Sequence, residues 1–251
     1  MKDQISFETT LAPYSGKGRI FEGVKKVKLG DASPSKRLRL DSLITMAQDF
    51  SDEDTYNAGL KSSAMWVARS IMVEVGKHGE LFEELSLKTF CSGLGSRWAE
   101  RRISISGSLG ACYEISTIWV CLDPNTRKPI LLDNNFLDLY SEAASDRKIK
   151  ASIRSKRPTD FDKTFLQNDK WVLRKSDFDV MSHVNNASYW TVIEDKCDVD
   201  KIELPMRAQV VYGGGVPISE YVHISSLNES DFGYLWWIVD QKVAASAEIS
   251  Q

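Results

Sequence analysis

The sequence has few residues of the kinds that bind metals or form cross-links. Its 251 residues include 3 histidines and 4 cysteines, and the cysteines (Cys91, Cys112, Cys121 and Cys197) are widely spaced without a Cys-x-x-Cys pair. This spacing disfavours a zinc site and a disulfide framework, and it is typical of a reducing cytoplasm. We therefore expect no metal site, and we interpret the cysteines as small core residues rather than nucleophiles.

Long apolar runs and an excess of basic charge are also missing. The longest apolar run, 234–239, is far shorter than the roughly 20 residues that span a bilayer. The first residues resemble neither a signal peptide nor a Ser- and Arg-rich transit segment. The net charge is −3, whereas nucleic-acid binding favours a basic surface. The sequence therefore predicts a bacterial cytoplasmic protein without a membrane span or a nucleic-acid partner.

What is present is an ordinary globular composition with two predicted amphipathic helices, each about three turns long. The first starts at Leu40 and carries apolar residues at i, i+3, i+4 and i+7, with Asp41 or Ser42 as a possible N-cap. The second covers about 186–196, and we expect Glu194 to face away from its apolar stripe. Each helix precedes a group of segments that read as strands.

These segments are rich in apolar and β-branched residues. They are 66–75, 85–91, 101–106 and 115–120 after the first helix, and 207–212, 219–224 and 234–243 after the second. The repeated order indicates an internal duplication in which 89–93 and 210–214 occupy matching places. We expect a first domain at 1–130, a linker at 131–167 and a second domain at 168–251. The linker contains a basic run at 147–157.

The most informative stretch is 176–190, where a loop with two aspartates and a histidine leads into the second helix. Asn185 or Asn186 is a suitable N-cap, and the free N–H groups of a helix start suit a carbonyl oxygen or an oxyanion. Together with Asp179 and His183 they are compatible with acyl transfer or hydrolysis. From spacing alone, a second interpretation stays open: these side chains only hold the loop, as we expect of Asp177.

Three segments resemble the acyl-ACP thioesterase family of plants and bacteria. They are 177–186 (Asp-Phe-Asp, then His-Val-Asn-Asn), 87–102 (Thr-Phe-Cys-Ser-Gly to Arg-Arg) and 116–129 (Ser-x-x-Trp-Val to Thr-Arg-Lys-Pro). The resemblance covers about 9–239. It implies an α+β double hotdog fold, in which two antiparallel sheets each wrap around a central helix. It also implies hydrolysis of fatty acyl thioesters on acyl carrier protein (ACP) without metal or organic cofactor.

By this resemblance, Asp179 and His183 are candidate general bases, and Asn185 would position water or the thioester. Two positions depart from the plant pattern: Met181 replaces an asparagine, and Tyr212-Gly213 replaces a Glu-Cys pair. The first half lacks the His-Asn-Asn set, so we expect one active site per chain. Candidate substrate-binding residues are Asn186 and Tyr212 at the site, and Leu43, Met46, Ala47 and Trp66 along an acyl tunnel.

The partner implied is an acidic ACP, for which the basic run 147–157 and the pair Arg101-Arg102 are candidate docking surfaces. Alternative functions are hydrolysis of acyl-CoA, acyl binding by a catalytically lapsed enzyme, and a hotdog dehydratase or hydratase. Both a monomer and a homodimer are compatible with fused halves.

Overall fold

The computed structural model describes residues 9, 11–60, 64–144, 156–160, 162, 166–197, 199–216, 221–228 and 232–251. The first half contains β1 (Ile20–Lys26), α1 (Leu40–Asn57), β2 (Met65–Lys77), β3 (Glu84–Leu94), β4 (Trp98–Gly107), β5 (Cys112–Leu122) and α2 (Asn134–Tyr140). The second half contains β6 (Gln167–Trp171), α3 (Asn186–Lys196), β7 (Met206–Tyr212), β8 (Val222–Asn228), β9 (Phe232–Val239) and β10 (Lys242–Ser250).

All ten strands form one antiparallel sheet in the order β1-β3-β4-β5-β2-β7-β10-β9-β8-β6. The five strands of each half follow the same connectivity, with β6-β8-β9-β10-β7 corresponding to β1-β3-β4-β5-β2. The halves join where β2 pairs with β7, from Ser70 opposite Val211 to Val75 opposite Met206. The predicted double hotdog fold is confirmed.

The two central helices lie against one face of this sheet and against each other. Leu43 and Ile44 of α1 and Trp190 and Ile193 of α3 are buried in one hydrophobic cluster with residues of β2, β3, β4, β5, β7, β8, β9 and β10. Their apolar stripes are therefore covered on two sides, by the sheet and by the other helix. Within the described ranges, no helix is long and apolar enough to cross a membrane.

The first helix is longer than the sequence predicts. It has 18 residues, about five turns, and it begins after Arg39, so neither Asp41 nor Ser42 is its N-cap. The last turns are held by buried Asp54, whose carboxylate pairs with Arg19 and Arg101. A window of apolar spacing cannot reveal an extension that depends on these distant partners.

Two other expectations about strands are wrong. The segment 234–243 is two strands, because Asp240 and Gln241 both have positive φ (46° and 62°) and turn β9 into β10. A two-residue turn of this hand suits the twist of a hairpin. Residues 89–93 and 210–214 do not match either, since the first segment lies in β3 and β7 is the counterpart of β2.

Candidate active site

The loop before α3 is held in place by Asp177. Its buried carboxylate accepts a hydrogen bond from the backbone N–H of Arg174 (2.7 Å), and its carbonyl accepts one from the N–H of Asn185 (2.8 Å). A bridge between Phe178 and Val184 closes the loop. The expected structural role of Asp177 agrees with these contacts.

Asp179 lies at the turn of this loop and is partly exposed. Its Oδ1 accepts hydrogen bonds from the backbone N–H groups of Met181 (2.9 Å) and His183 (3.2 Å). Among the described residues, no group donates to its Oδ2. The pKa of the Tyr189 hydroxyl, in the first turn of α3, is raised by burial and then by the charge of Asp179. One oxygen of Asp179 therefore holds the loop, and the other is available near the start of the helix.

The N-terminus of α3 keeps one amide open. Asn185 is the N-cap, and its Oδ1 accepts from the N–H of Ala187 (2.9 Å). Within the described part of the chain, no group accepts from the N–H of Asn186. The carbonyl of Asn186 accepts from the buried hydroxyl of Tyr212 (3.1 Å), which also accepts from Nε1 of Trp190 (3.1 Å). Tyr212 thus fixes the start of α3, while the first N–H of the helix has no acceptor in the part of the chain that the structure describes.

His183 lies between two elements from distant parts of the sequence. A Cβ atom on Gly215 would come within 2.8 Å of Cγ and Nδ1 of the His183 ring, so the ring packs directly on the glycine backbone. On the other side, Nη1 of Arg127 lies 3.3 Å from Nε2 of His183. Because a guanidinium only donates hydrogen bonds, Nε2 is the acceptor in this contact when the ring is neutral.

A side chain from the first half completes the site. Gln48, in the middle of α1, accepts a hydrogen bond from Nδ2 of Asn186 (3.0 Å) through its Oε1. Its Nε2 donates to Oδ1 of Asn185 (3.2 Å). The two asparagines that open α3 are therefore held by the facing helix.

The first half contains the same loop with different chemistry. The N–H of Ser33 donates to the carbonyl of Arg37 (2.8 Å), as the N–H of Asp179 donates to the carbonyl of His183 (2.8 Å). Ser33 and Arg37 thus stand where the second half has Asp179 and His183. By the same correspondence, Leu40 opens α1 where Asn186 opens α3.

In the first half, the carboxylate of Glu194 occupies the equivalent position at the start of α1. Oε1 of Glu194, on α3, accepts from the N–H of Leu40 at 2.5 Å. The same carboxylate forms a two-pronged pair with Arg37, at 2.9 and 2.6 Å. Both side chains are only 10% exposed, because Glu194 faces Arg37 and the start of α1 rather than solvent. The first N–H of α1 is bound by a carboxylate, whereas the first N–H of α3 has no acceptor among the described residues.

A narrow, largely apolar cleft lies between α1 and the sheet of the first half, and its side chains are packed closely enough to leave no room for a water molecule. Its lining consists of Ile44, Ala47, Gln48, Ser51, Ile71, Ile115, Thr117 and Trp119. Gln48 therefore faces both this cleft and the N-terminus of α3. Among the described residues, Gln48 is the one side chain that the cleft lining shares with the contacts at the start of α3.

The predicted tunnel residues are only partly brought together. Ala47 lines the cleft, whereas Leu43 and Met46 belong to the core that covers α1. Trp66 lies in a second cluster, where its ring stacks at 4.9 Å on Phe136 of α2.

The cysteines agree with their interpretation as core residues. All four are free thiols. Burial raises the pKa of the Cys91 thiol to about 11 and that of the Cys197 thiol to about 12. Such thiols are protonated at neutral pH and are poor nucleophiles. In the described ranges, no group of three histidine, cysteine or acidic side chains is arranged to hold a metal ion.

The pair Arg101-Arg102 is not a docking surface. The Arg101 side chain is 11% exposed and pairs with Asp54, and Arg102 is 1% exposed and pairs with Glu114. Both charges are neutralised inside the fold, because adjacent residues of β4 point to opposite faces and meet buried Asp54 on one and partly buried Glu114 on the other. Of the basic run 147–157, residues 147–155 lie outside the described residues.

Sequence reasoning missed Gln48 and Gly215, and it quoted Arg127 only as part of a motif. Gln48 and Arg127 belong to the first half and reach the start of α3 and His183 through the pairing of the two halves, whereas Gly215 reaches His183 from the loop after β7. An alignment of the two loops and their helices would have paired Gln48 with Glu194 and marked both as polar residues on otherwise buried helix faces.

Comparison with known proteins agrees with this architecture. The profile of the acyl-ACP thioesterase N-terminal domain matches residues 18–140, and that of the C-terminal domain matches 162–247. An uncharacterised Mycobacterium tuberculosis protein, Rv2001, is 24% identical over 96% of this chain and 95% of its own.

Two solved structures share the fold. An acyl-ACP thioesterase from Bacteroides thetaiotaomicron is 15% identical, covers 92% of this chain and 97% of its own, and has a TM-score of 0.77. A 12:0-ACP thioesterase from Umbellularia californica is 14% identical, covers 92% and 96%, and has a TM-score of 0.74. The two family profiles together span most of the chain, which therefore belongs to the acyl-ACP thioesterase family and is a thioester hydrolase.

Proposed function

We propose that this protein releases free fatty acid from fatty acyl-ACP at a single site, the N-terminus of α3. The observation that carries the proposal is the difference between the two helix starts. The N–H of Asn186 faces no acceptor among the described residues, whereas the N–H of Leu40 is bound by Glu194. The first N–H of α3 is therefore available to a thioester oxygen, whereas the first N–H of α1 is not.

In the proposed reaction, Asp179 is the general base. Its Oδ2 takes a proton from a water molecule, and the water oxygen attacks the thioester carbon. The carbonyl oxygen gains negative charge and accepts from the N–H of Asn186, where the helix dipole favours an anion. The tetrahedral intermediate then collapses, the C–S bond breaks, and the thiolate takes the proton. The products are a fatty acid and the free thiol of the carrier.

His183 is proposed to orient the water or the thioester rather than to replace Asp179. Its Nε2 faces the guanidinium of Arg127, and its ring is fixed against Gly215. Asn185 contributes through its cap, because its Oδ1 fixes the N–H of Ala187. The absence of an asparagine at Met181 is then tolerated, since the Met181 backbone, not its side chain, contacts Asp179.

The acyl chain is proposed to lie in the cleft between α1 and the sheet of the first half. The cleft is bounded by apolar groups such as Ile44, Ile71 and Ile115. Each methylene group of an acyl chain that they bury contributes about 0.8 kcal/mol to binding. The side chains that line the cleft must move apart for the acyl chain to enter. The first half thereby serves as the acyl-binding domain of a site whose reacting groups lie in the second half.

ACP is proposed as the carrier, as in the two structural relatives named for acyl-ACP. Exposed Arg127 and Lys128 lie at the His183 side of the site and offer positive charge to an acidic carrier or to the phosphate of its pantetheine arm. Acyl-CoA carries the same arm, so the carrier has to be tested directly.

The test is a panel of acyl-ACP and acyl-CoA thioesters of 8 to 18 carbons, with release of free thiol as the readout. We expect turnover on acyl-ACP, with kcat/KM higher than on the CoA thioester of the same chain. Higher kcat/KM on the CoA panel would make the protein an acyl-CoA thioesterase. Binding of both without thiol release would indicate a lapsed enzyme.

A further inference from the structure

Gln48 and Glu194 occupy equivalent places in the two halves. Each lies in the third turn of its helix, and each reaches the N-terminus of the opposite helix. Because the loops before α1 and α3 share their backbone hydrogen bonds, the two contacts can be compared directly. They differ in the charge of the side chain and in whether the first N–H of the opposite helix remains without an acceptor.

At the start of α1, a carboxylate occupies the position where an oxyanion would bind. Oε1 of Glu194 accepts from the N–H of Leu40 at 2.5 Å, and Arg37 holds the carboxylate with two hydrogen bonds. An acidic side chain at this place of the helix therefore reaches the first N–H and closes it. The first N–H of α1 is therefore not available to a thioester oxygen.

At the start of α3, the same place is taken by a neutral amide. Oε1 of Gln48 accepts from Nδ2 of Asn186, and Nε2 donates to Oδ1 of Asn185. An amide has both a donor and an acceptor and can hold the two asparagine side chains at once, whereas a carboxylate only accepts. With both of these atoms engaged by side chains, Gln48 leaves the N–H of Asn186 open.

We propose that Gln48 is a positioning residue for thioester hydrolysis, supplied by the first half to the site of the second half. It fixes Asn185 and Asn186, and its lack of charge keeps the N-terminus of α3 available to the thioester oxygen. This inference rests on the proposed function, because it assigns Gln48 to the same site. Gln48 also lines the cleft, so it stands where the acyl chain meets the reacting carbonyl.

Two substitutions separate the two roles. Gln48→Glu reproduces the arrangement at α1, and we expect it to lower kcat at least about 100-fold, as does loss of an oxyanion donor. Gln48→Ala removes both hydrogen bonds without adding charge, and we expect kcat to fall about tenfold from misplacement. KM for acyl-ACP should stay within about threefold of the unsubstituted protein in both, because the apolar side chains of the cleft and the carrier contacts are kept.

The matched control is Thr45→Glu, which adds the same charge to an exposed position one turn earlier on α1. All variants are assayed well below the lowest Tm, so that unfolding does not lower kcat. We expect the Tm of Gln48→Glu to be no lower than that of Gln48→Ala, since an acid near a helix start is favourable. Activity and stability would then move in opposite directions, which a merely structural role does not produce.

A loss smaller than 100-fold in Gln48→Glu relative to Thr45→Glu, or unchanged kcat in Gln48→Ala, overturns this inference while the proposed function stands. Absence of thiol release by the unsubstituted protein from every acyl-ACP and acyl-CoA tested overturns both.

Discussion

At the scale of single residues, the site depends on close contact between His183 and a backbone without a side chain. A Cβ atom on Gly215 would lie 2.8 Å from the ring of His183, which is shorter than an ordinary carbon contact. Only glycine at position 215 allows the ring to keep this position. Gly214 differs, because a Cβ atom there would meet no atom within 4 Å.

This contrast provides a prediction with a control in the adjacent residue. In Gly215→Ala the new methyl group displaces His183, and we expect kcat for acyl-ACP to fall at least about tenfold, because misplacement of about 1 Å is costly in rate. In Gly214→Ala kcat should stay within about twofold. The measurement is steady-state thiol release by both variants. Equal kcat in the two would show that the position of His183 does not matter.

The residues of the site differ in how far the sequence predicts them. Asp179, His183, Asn185 and Asn186 lie within one loop and helix start, so their neighbourhood follows from local sequence. Gln48 reaches Asn185 across 137 positions, and only the pairing of the halves creates that contact. Local pattern therefore predicts the acid, the imidazole and the cap, and it does not predict what faces them.

At the scale of elements, the two central helices differ in how their positive ends are satisfied. Glu194 neutralises the start of α1 and is itself paired with Arg37. Since both side chains are nearly buried, removal of Glu194 leaves the Arg37 guanidinium with Asp200 as its remaining acidic partner. Breaking a buried pair costs about 3 to 5 kcal/mol when the remaining charge is uncompensated, and the Asp200 contact places the expected cost at the lower end of that range.

We expect Glu194→Ala to lower the free energy of unfolding by about 3 kcal/mol and to leave kcat near that of the unsubstituted protein. Urea unfolding measures the first quantity, and thiol release measures the second. Asp195→Ala is the control, because it removes an equal charge from an exposed neighbour. If Glu194→Ala and Asp195→Ala are equally stable, the contact of Glu194 with Arg37 and Leu40 does not stabilise the fold. If Glu194→Ala loses kcat, the start of α1 contributes to catalysis.

The length of α1 also matters for the acyl chain, because Ala47 and Ser51 line the cleft one turn apart. We expect Ala47→Phe to fill the cleft and to shift preference toward shorter acyl chains. For the longest substrate kcat/KM should fall at least about tenfold, since each methylene group in an apolar pocket is worth about that factor.

Thr45→Phe adds the same ring to the exposed face of α1 and serves as the control in an assay of 8- to 18-carbon acyl-ACPs. An unchanged chain-length profile in Ala47→Phe would show that the acyl chain lies elsewhere.

At the scale of the whole molecule, the fold is a duplicated unit whose two halves carry different residues in the loop before the central helix. The repeated order of a helix and then strands is visible in the sequence, because apolar periodicity is a local property. The joining of both halves into one sheet through β2 and β7 is a long-range pairing. So is the burial of Arg101 and Arg102, whose adjacent charges suggest a surface patch when only the sequence is read.

The central claim is that hydrolysis uses one of two equivalent loops, the one that contains Asp179 where the other contains Ser33. The most direct measurement is thiol release from acyl-ACP by Asp179→Asn, compared with the unsubstituted protein. The asparagine oxygen can still accept from Met181 and His183, so the Tm should change little. We predict that kcat falls at least about 100-fold. Retention of half of the turnover would indicate a second working site, and unchanged turnover would contradict the assignment of Asp179 as the base.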